Sequence, residues 1–146
     1  MGVVLNHPSD VLVSDAAPPL AELAATDDVV YVGGPVEQHA IVVLADFADP
    51  ARAGVLVAGS VGFLPGEIED PADLGELRAC RVFAGYAGWA PGQLEAELEE
   101  GAWIVATVRP GDIFCDDPRG LWGAVLRRRG GRDAMLAVFP ADPRVN

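Results

Sequence analysis

The chain has 146 residues, 51% of them hydrophobic and 22% charged, a size and mix that suit a folded domain with its own core and argue against disorder. Its formal charge of −12 opposes broad contact with the phosphates of DNA, RNA or an anionic membrane. The apolar runs are strand-sized, well short of the roughly 18 residues a membrane-spanning helix needs. No basic region followed by an apolar stretch opens the sequence, so a cytoplasmic location is expected. Cys80 and Cys115 make no CxxC pair and are expected as two reduced thiols.

In chain order, "VVL" at 3–5 has the pattern of a buried strand, and Asn6, Pro8, Ser9 and Asp10 predict a turn. "APPLAELAA" predicts a short helix with Pro18 or Pro19 near its start and Leu20 and Leu23 facing inward. Val29 to Val32 and Ala40 to Leu44 read as strands separated by Gly33-Gly34-Pro35, and both are apolar enough that periodicity does not resolve their faces. Residues 46–54 read as loop, 55–59 as a strand, and 60–72 as an exposed loop rich in glycine, proline and acid. Leu74, Leu77 and Ala79 suggest a short helix before the strand "RVFAGYAG" at 81–88.

The clearest helix runs from Pro91 to Glu100, with Leu94 and Leu98 on one face and Gly101 at the C-terminal cap. "AWIVATV" at 102–108 predicts a strand that Pro110-Gly111 ends. Asp116 or Asp117 is placed to cap a helix over 118–129 with the stripe Leu121, Trp122, Val125 and Leu126, stopped by Gly130-Gly131. Residues 134–139 read as a last strand or an extended tail. The irregular alternation argues for an α+β, or irregular α/β, sheet domain over 1–146 without a linker or repeat.

"GVVLNHP" at 2–8, "VGGPV" at 32–36 and above all "RVFAGYAGWAPGQLEAELEEGAW" at 81–103, followed by Asp112-Ile113-Phe114 and Trp122, resemble the YqgE/AlgH family along almost the whole chain. The resemblance implies a compact α+β domain whose branched, partly barrel-like β-sheet is flanked by helices. It also implies a bacterial, cytoplasmic protein from a family most of whose members have no established activity. One branch is named for a proposed role in regulating alginate production, and that name is not evidence of DNA binding. Members usually carry a further segment ahead of the "GVVLN" stretch, with an initial strand and a Phe-Arg-Arg-like motif. The expectation is therefore that the start is misplaced or the chain shortened. A genuinely shorter protein would instead pair the edge so exposed with another subunit.

Familiar chemical signatures are missing: the sequence has no GxxxxGK[ST], HExxH, GxSxG or GxGxxG. Gly59-Ser60-Val61-Gly62 reads as a turn after a strand. His7 and His39 have no ligand spacing, and no metal or cofactor is expected. Arg81 adjoins Cys80, and Asp116 and Asp117 follow Cys115, where they disfavour a thiolate; packing is the simpler role for both sulfurs. Glu95 and Glu97 sit at i and i+2 and do not share a helix face, so Glu97 is read as an anchor for the turn around Trp89. Arg127, Arg128, Arg129 and Arg132 read as a solvated helix end that complements the macrodipole.

The candidate binding surface comprises Asn6, Gly33, Gly34, Pro35, Gly85, Tyr86, Gly88, Trp89, Glu97 and Asp112, the last placed by the resemblance. Its glycines permit close approach and its aromatics offer contact area, for a cleft or partner interface or for a tight turn packed on the core. The leading functional expectation is a noncatalytic protein-binding or regulatory domain with a protein partner. The alternative is a small-molecule enzyme or ligand sensor with an unfamiliar site near the glycine loops. Direct nucleic-acid binding and membrane association are disfavoured, and the oligomeric state is left open.

Overall fold

In the computed structural model, which describes residues 1–66 and 70–139, the long apolar runs become the inner strands of a sheet. The strands are β1 (Pro8–Leu12), β2 (Val29–Val32), β3 (Val36–Phe47), β4 (Val55–Ala58), β5 (Val61–Phe63) and β6 (Leu77–Tyr86). Their order is β1-β2-β6-β3-β5-β4. Only β2 and β6 run parallel; every other neighbouring pair is antiparallel. The strand order is linear and ends on β1 and β4, so the described strands form an open mixed sheet rather than a closed barrel. The chain divides into two compact units, residues 1–88 and the residues from Trp89 onward.

In the first unit β3 and β6 pair along most of their length, from Val36 opposite Tyr86 to Phe47 opposite Leu77. Alternation sends their side chains to two faces. Val43 and Val82 join Val13 and Val30 in one buried cluster, while Ala45 and Phe47 join Leu74 in another. Leu64 and Cys80 pack against both. Phe83, next to Val82, points the other way, is also fully buried, and meets Tyr31 at 5.7 Å between ring centroids. The Arg81 guanidinium lies 4.4 Å from the Tyr31 ring centre, a cation–π contact. Burial on both faces explains why these strands read as continuous apolar runs.

Several local expectations change. Residues 3–5 are not a strand, although Gly2 makes a paired bridge with Ala87. The turn falls at Leu5 and Asn6, and Pro8 opens β1 instead of continuing it, as a proline can at the first position of an edge strand. Only Pro18–Leu20 of the next expected helix is a 3₁₀ turn, with Leu20 and Leu23 packed inward as expected. A single turn, α1 (Val13–Ala16), precedes it. β3 extends to Phe47 inside the expected 46–54 loop, and β5 interrupts the expected 60–72 loop, of which residues 67–69 lie outside the described residues. Leu77 and Ala79 belong to β6, not a helix: Gly75, at φ +66°, ends the 3₁₀ turn Pro71–Leu74, and β3 pairs with the chain from Leu77 onward.

The second unit holds α2 (Gln93–Glu99), α3 (Leu121–Arg129) and α4 (Gly131–Leu136). Gly101, at φ +74°, sits past the end of α2 as expected. Leu94 is half-buried, but Leu98 is exposed. The Asp117 carboxylate accepts from the Gly120 N–H just before α3, and Leu126 is the buried member of the α3 stripe. Residues 102–108 are not a strand: Val105 and Thr107 give their carbonyls to Arg129 and Arg128 of α3 rather than to a ladder. Residues 131–136 form a helix where a strand or tail was expected over 134–139, because Ala, Met and Leu favour a helix once Gly130 has broken the previous one.

Phe47 has no exposed surface and sits at the end of the β3–β6 pairing. Phe47→Ala is expected to cost about 3–5 kcal/mol in urea unfolding. A loss of less than about 1 kcal/mol would mean that the site is not the packed core described here.

Candidate functional site

The residues proposed as a binding surface fall in both units. In the first, Val32 ends β2 on one side of β6, and Val36 begins β3 on the other side. Residues 33–35 must therefore bridge two inter-strand spacings, about 10 Å. So short a connection has to pass straight over the backbone of β6. A Cβ on Gly33 would overlap the Gly85 carbonyl oxygen, and one on Gly34 would overlap the Tyr86 backbone. A Cβ on Gly85 would stand 2.7 Å from the Gly34 carbonyl oxygen, and Gly85 itself has φ +73°. The Gly33 N–H donates to the Ala84 carbonyl at 2.9 Å, which seals the crossing.

The space that the glycines leave is thus filled by backbone. Pro35 and Gly88 are exposed beside the crossing and Tyr86 is half-buried. Asn6 occupies the turn before β1, where the Val4 N–H donates to the Gly33 carbonyl and the Val32 N–H to the His7 carbonyl. Glu37 follows directly at φ +44°, in the irregular stretch where the β3–β6 register shifts between Val36 and Ile41.

In the second unit α2 aims Glu97 at the side chains around it. One carboxylate oxygen accepts from the Trp89 indole N–H at 3.1 Å and from the Trp103 indole N–H at 2.8 Å. The other accepts from Gln93 at 2.9 Å, whose own amide oxygen accepts from the Ala90 N–H. The indoles meet edge to face with centroids 5.8 Å apart. The bond to Trp103, then those to Gln93 and Trp89, hold the Glu97 carboxyl below its ordinary value of 4.5. The expected anchoring of Trp89 is present, with Trp103 as a second ligand on the same carboxylate.

Asp112 has separate partners. Arg128 of α3 grips it with two parallel bonds of 2.8 Å, and the Arg109 N–H donates to it at 2.7 Å. Hydrogen bonding from Arg128 lowers its pKa most, against the opposing effect of burial. The arginine cluster is therefore only partly a solvated helix end: Arg128 serves Asp112, and Arg129 pairs with Asp133. This pairing was hidden in the sequence because sixteen positions separate the partners and neither lies at helical spacing to the other.

The remaining chemical candidates are also placed. The Cys80 thiol donates to the Leu23 carbonyl at 2.8 Å, and burial, aided by the Asp28 charge, pushes its pKa up. His7 and His39 are exposed, His39 on β3. Among the described residues no group of three His, Cys, Asp or Glu side chains is arranged to hold a metal ion. Within the same residues no helix is long and apolar enough to cross a membrane.

A family model described as AlgH-like matches residues 1–134. A UPF0301 protein of Thermobifida fusca is 42% identical over 156 aligned positions that cover all of this chain and 79% of the relative. A Streptomyces coelicolor UPF0301 protein is 44% identical with the same coverage of both chains. The crystal structure of a Corynebacterium diphtheriae protein superimposes with a TM-score of 0.79 at 30% identity, over 94% of this chain and 74% of that one. The solution structure of the AlgH protein from Pseudomonas aeruginosa gives 0.66 at 27% identity, over 97% and 78%.

Two outcomes follow from this geometry. Gly33→Ala is expected to destabilise the chain by about 3 kcal/mol or more in denaturant, because backbone occupies the Cβ position. Gly59→Ala, at φ +59° with open space around it, is expected to cost only about 1 kcal/mol. Equal losses would remove the crossing as the reason for Gly33.

A carboxyl whose folded pKa is depressed contributes stability above its unfolded value and loses it as pH falls through the folded one. Below pH 4.5 the indole N–H resonances of Trp89 and Trp103 are therefore expected to move together. Glu97→Gln is expected to abolish that step, and a step that persists in this variant would show that Glu97 is not its source.

Proposed function

Because the chain belongs to the AlgH-like family, whose model spans residues 1–134, we propose that it is a noncatalytic protein-binding or regulatory domain acting through a protein partner. The observation that carries this reading is the fixed, accessible Trp103. The residue is 48% exposed, yet its N–H is tied to Glu97 and its ring abuts Trp89. An aromatic already held in place loses little freedom when a partner covers it, and such residues often dominate interface energetics. Ile104, Val105 and Val108 extend the exposed apolar strip along the same segment.

The charged groups favour the same reading over chemistry. A carboxyl acts most effectively as general acid or base near neutral pH when its pKa is raised toward neutrality. Glu97 and Asp112 are instead held low by their own donors. The engagement of Arg128 and Arg129 with carboxylates of the same chain leaves less free positive charge for a nucleic acid, which favours regulation through protein contact. The Cys80 sulfur, a thiol bonded to the Leu23 carbonyl rather than half of a disulfide, suits a reducing cytoplasmic setting.

The test is native capture from cell extract with the wild-type chain, Trp103→Ala and Glu97→Gln, after circular dichroism has established that all three fold. A stoichiometric protein bound by the wild type and lost by Trp103→Ala is the expected result. Retention of a small molecule by all three, with no protein partner, would replace the reading with the ligand-sensor or enzyme alternative.

A further inference from the structure

Trp103 is held at one edge and open elsewhere. Its indole N–H is engaged by Glu97 at 2.8 Å, so a partner that covers the residue meets the ring face and not a hydrogen-bond donor. The charge around that face has one sign. Between Arg81 and Arg109 the only charged residues are Glu95, Glu97, Glu99 and Glu100. The last three stand at the C-terminal end of α2, where the helix dipole favours cations, and no basic residue lies in the last turn.

Local geometry brings Glu100 to the same place. It follows Glu97 by three positions along the helix and shares its face. The Gly101 N–H donates to the Leu98 carbonyl at 3.1 Å and the Ala102 N–H to the Glu97 carbonyl at 2.9 Å, which turns the chain back so that Trp103 meets Glu97. Glu99 and Glu100 are exposed. Among the described residues the ion pairs fall on Asp46, Asp49, Asp112 and Asp133, and neither Glu99 nor Glu100 has a cation.

We propose that the Trp103 face takes an arginine from a basic segment of the protein partner, with the guanidinium stacked on the indole and paired with Glu100. This rests on the reading of Trp103 as a contact residue and adds the chemistry of what covers it. Ring and charge decide the occupant together. The face of an indole is the negative part of its quadrupole and attracts a cation. The carboxylate on its N–H polarises the ring further in that direction. An apolar partner would strip water from Glu99 and Glu100 without a compensating bond, and an acidic partner or a nucleic acid would be repelled. Arginine fits better than lysine because its planar fork stacks on the ring and still offers N–H groups to a carboxylate.

The test is a titration of the isotope-labelled full chain with a capped Gly-Arg-Gly-Arg-Gly peptide, followed at the tryptophan indole signals. The arginine peptide is expected to shift the Trp103 signal saturably. Its citrulline counterpart, uncharged and of nearly the same shape, is expected to leave the signal in place, and the lysine peptide to bind more weakly. Trp103→Leu keeps every charge and is expected to weaken binding about fivefold, read at Trp89. Glu100→Gln changes an exposed side chain that bonds nothing among the described residues, and is expected to weaken binding about threefold. Asp10→Asn removes the same charge from the first unit and is expected to leave binding unchanged. No saturable shift, citrulline or lysine peptides that bind as tightly as the arginine one, or a Glu100→Gln chain that binds like the wild type overturns the proposal. If the arginine peptide fails while native capture still yields a protein that Trp103→Ala loses, the arginine is removed and the contact reading stands.

Discussion

The short passage of the chain over β6 is the constraint from which the rest of the sheet follows. β2 lies parallel to β6 on one side, and β3 lies antiparallel to it on the other. Only residues 33–35 join them, so the chain crosses β6 at backbone-to-backbone distance. Any side chain at Gly33 or Gly34 would lift the crossing away from Gly85 and Tyr86. That would pull Val32 and Val36 off the two sides of β6. The buried clusters depend on that placement, because Val30, Val43 and Val82 come from the three strands that the crossing holds side by side. A packing requirement, rather than room for a ligand, therefore accounts for the glycine pair.

This changes the meaning of a glycine-rich motif with aromatic neighbours. Such a pattern is compatible with a cleft and with a tight crossing, and the two differ in what fills the space above the glycines. Around Gly33, Gly34 and Gly85 that space holds backbone atoms of the same chain. Gly88 is different: its nearest neighbours would stand at 3.6 and 3.8 Å, ordinary contact distances, so the crossing does not require a glycine there. The tryptophan cluster is built on another basis. There a single carboxylate gathers two indole N–H groups and an amide, and fixes side chains that would otherwise be free to rotate.

The sequence made β2, the middle of β3, most of β6 and both longer helices legible because local signals agreed with their tertiary role. Val29–Val32 matches β2 at both ends and Gly101 marks the end of α2 where expected, whereas Asp117 holds the turn ahead of α3, which starts at Leu121 with Gly120 before it. It misled where an apolar run fits more than one partner. "AWIVATV" has the β-branched residues of a strand, but strand formation needs a neighbouring ladder. Here Arg128 and Arg129 take the Thr107 and Val105 carbonyls. β5 was hidden by its three-residue length and by Gly62, which reads as a loop residue until the close approach of β4 is known. Of the proposed site, Trp89 with Glu97 was readable from one helix and its preceding turn, whereas the hold of Arg128 on Asp112 spans segments that sequence spacing does not relate.

Polar groups and apolar surface are divided unequally in this chain, and the division bears on how it works. Glu97, Asp112, Arg128 and Cys80 each bond a group of the same chain, so their chemistry goes into holding neighbouring segments in place. Apolar side chains at Trp103–Val105 and at Val55–Val57 remain open to water. Exposed apolar residues are ordinary when scattered and informative when consecutive on ordered backbone. The second strip is backed by a tight β4–β5 pair, and in the first the Trp103 ring is fixed by Glu97. Ordered apolar surface of this kind recovers the hydrophobic gain of contact without first having to be immobilised. The same property appears in two different segments that share no residue.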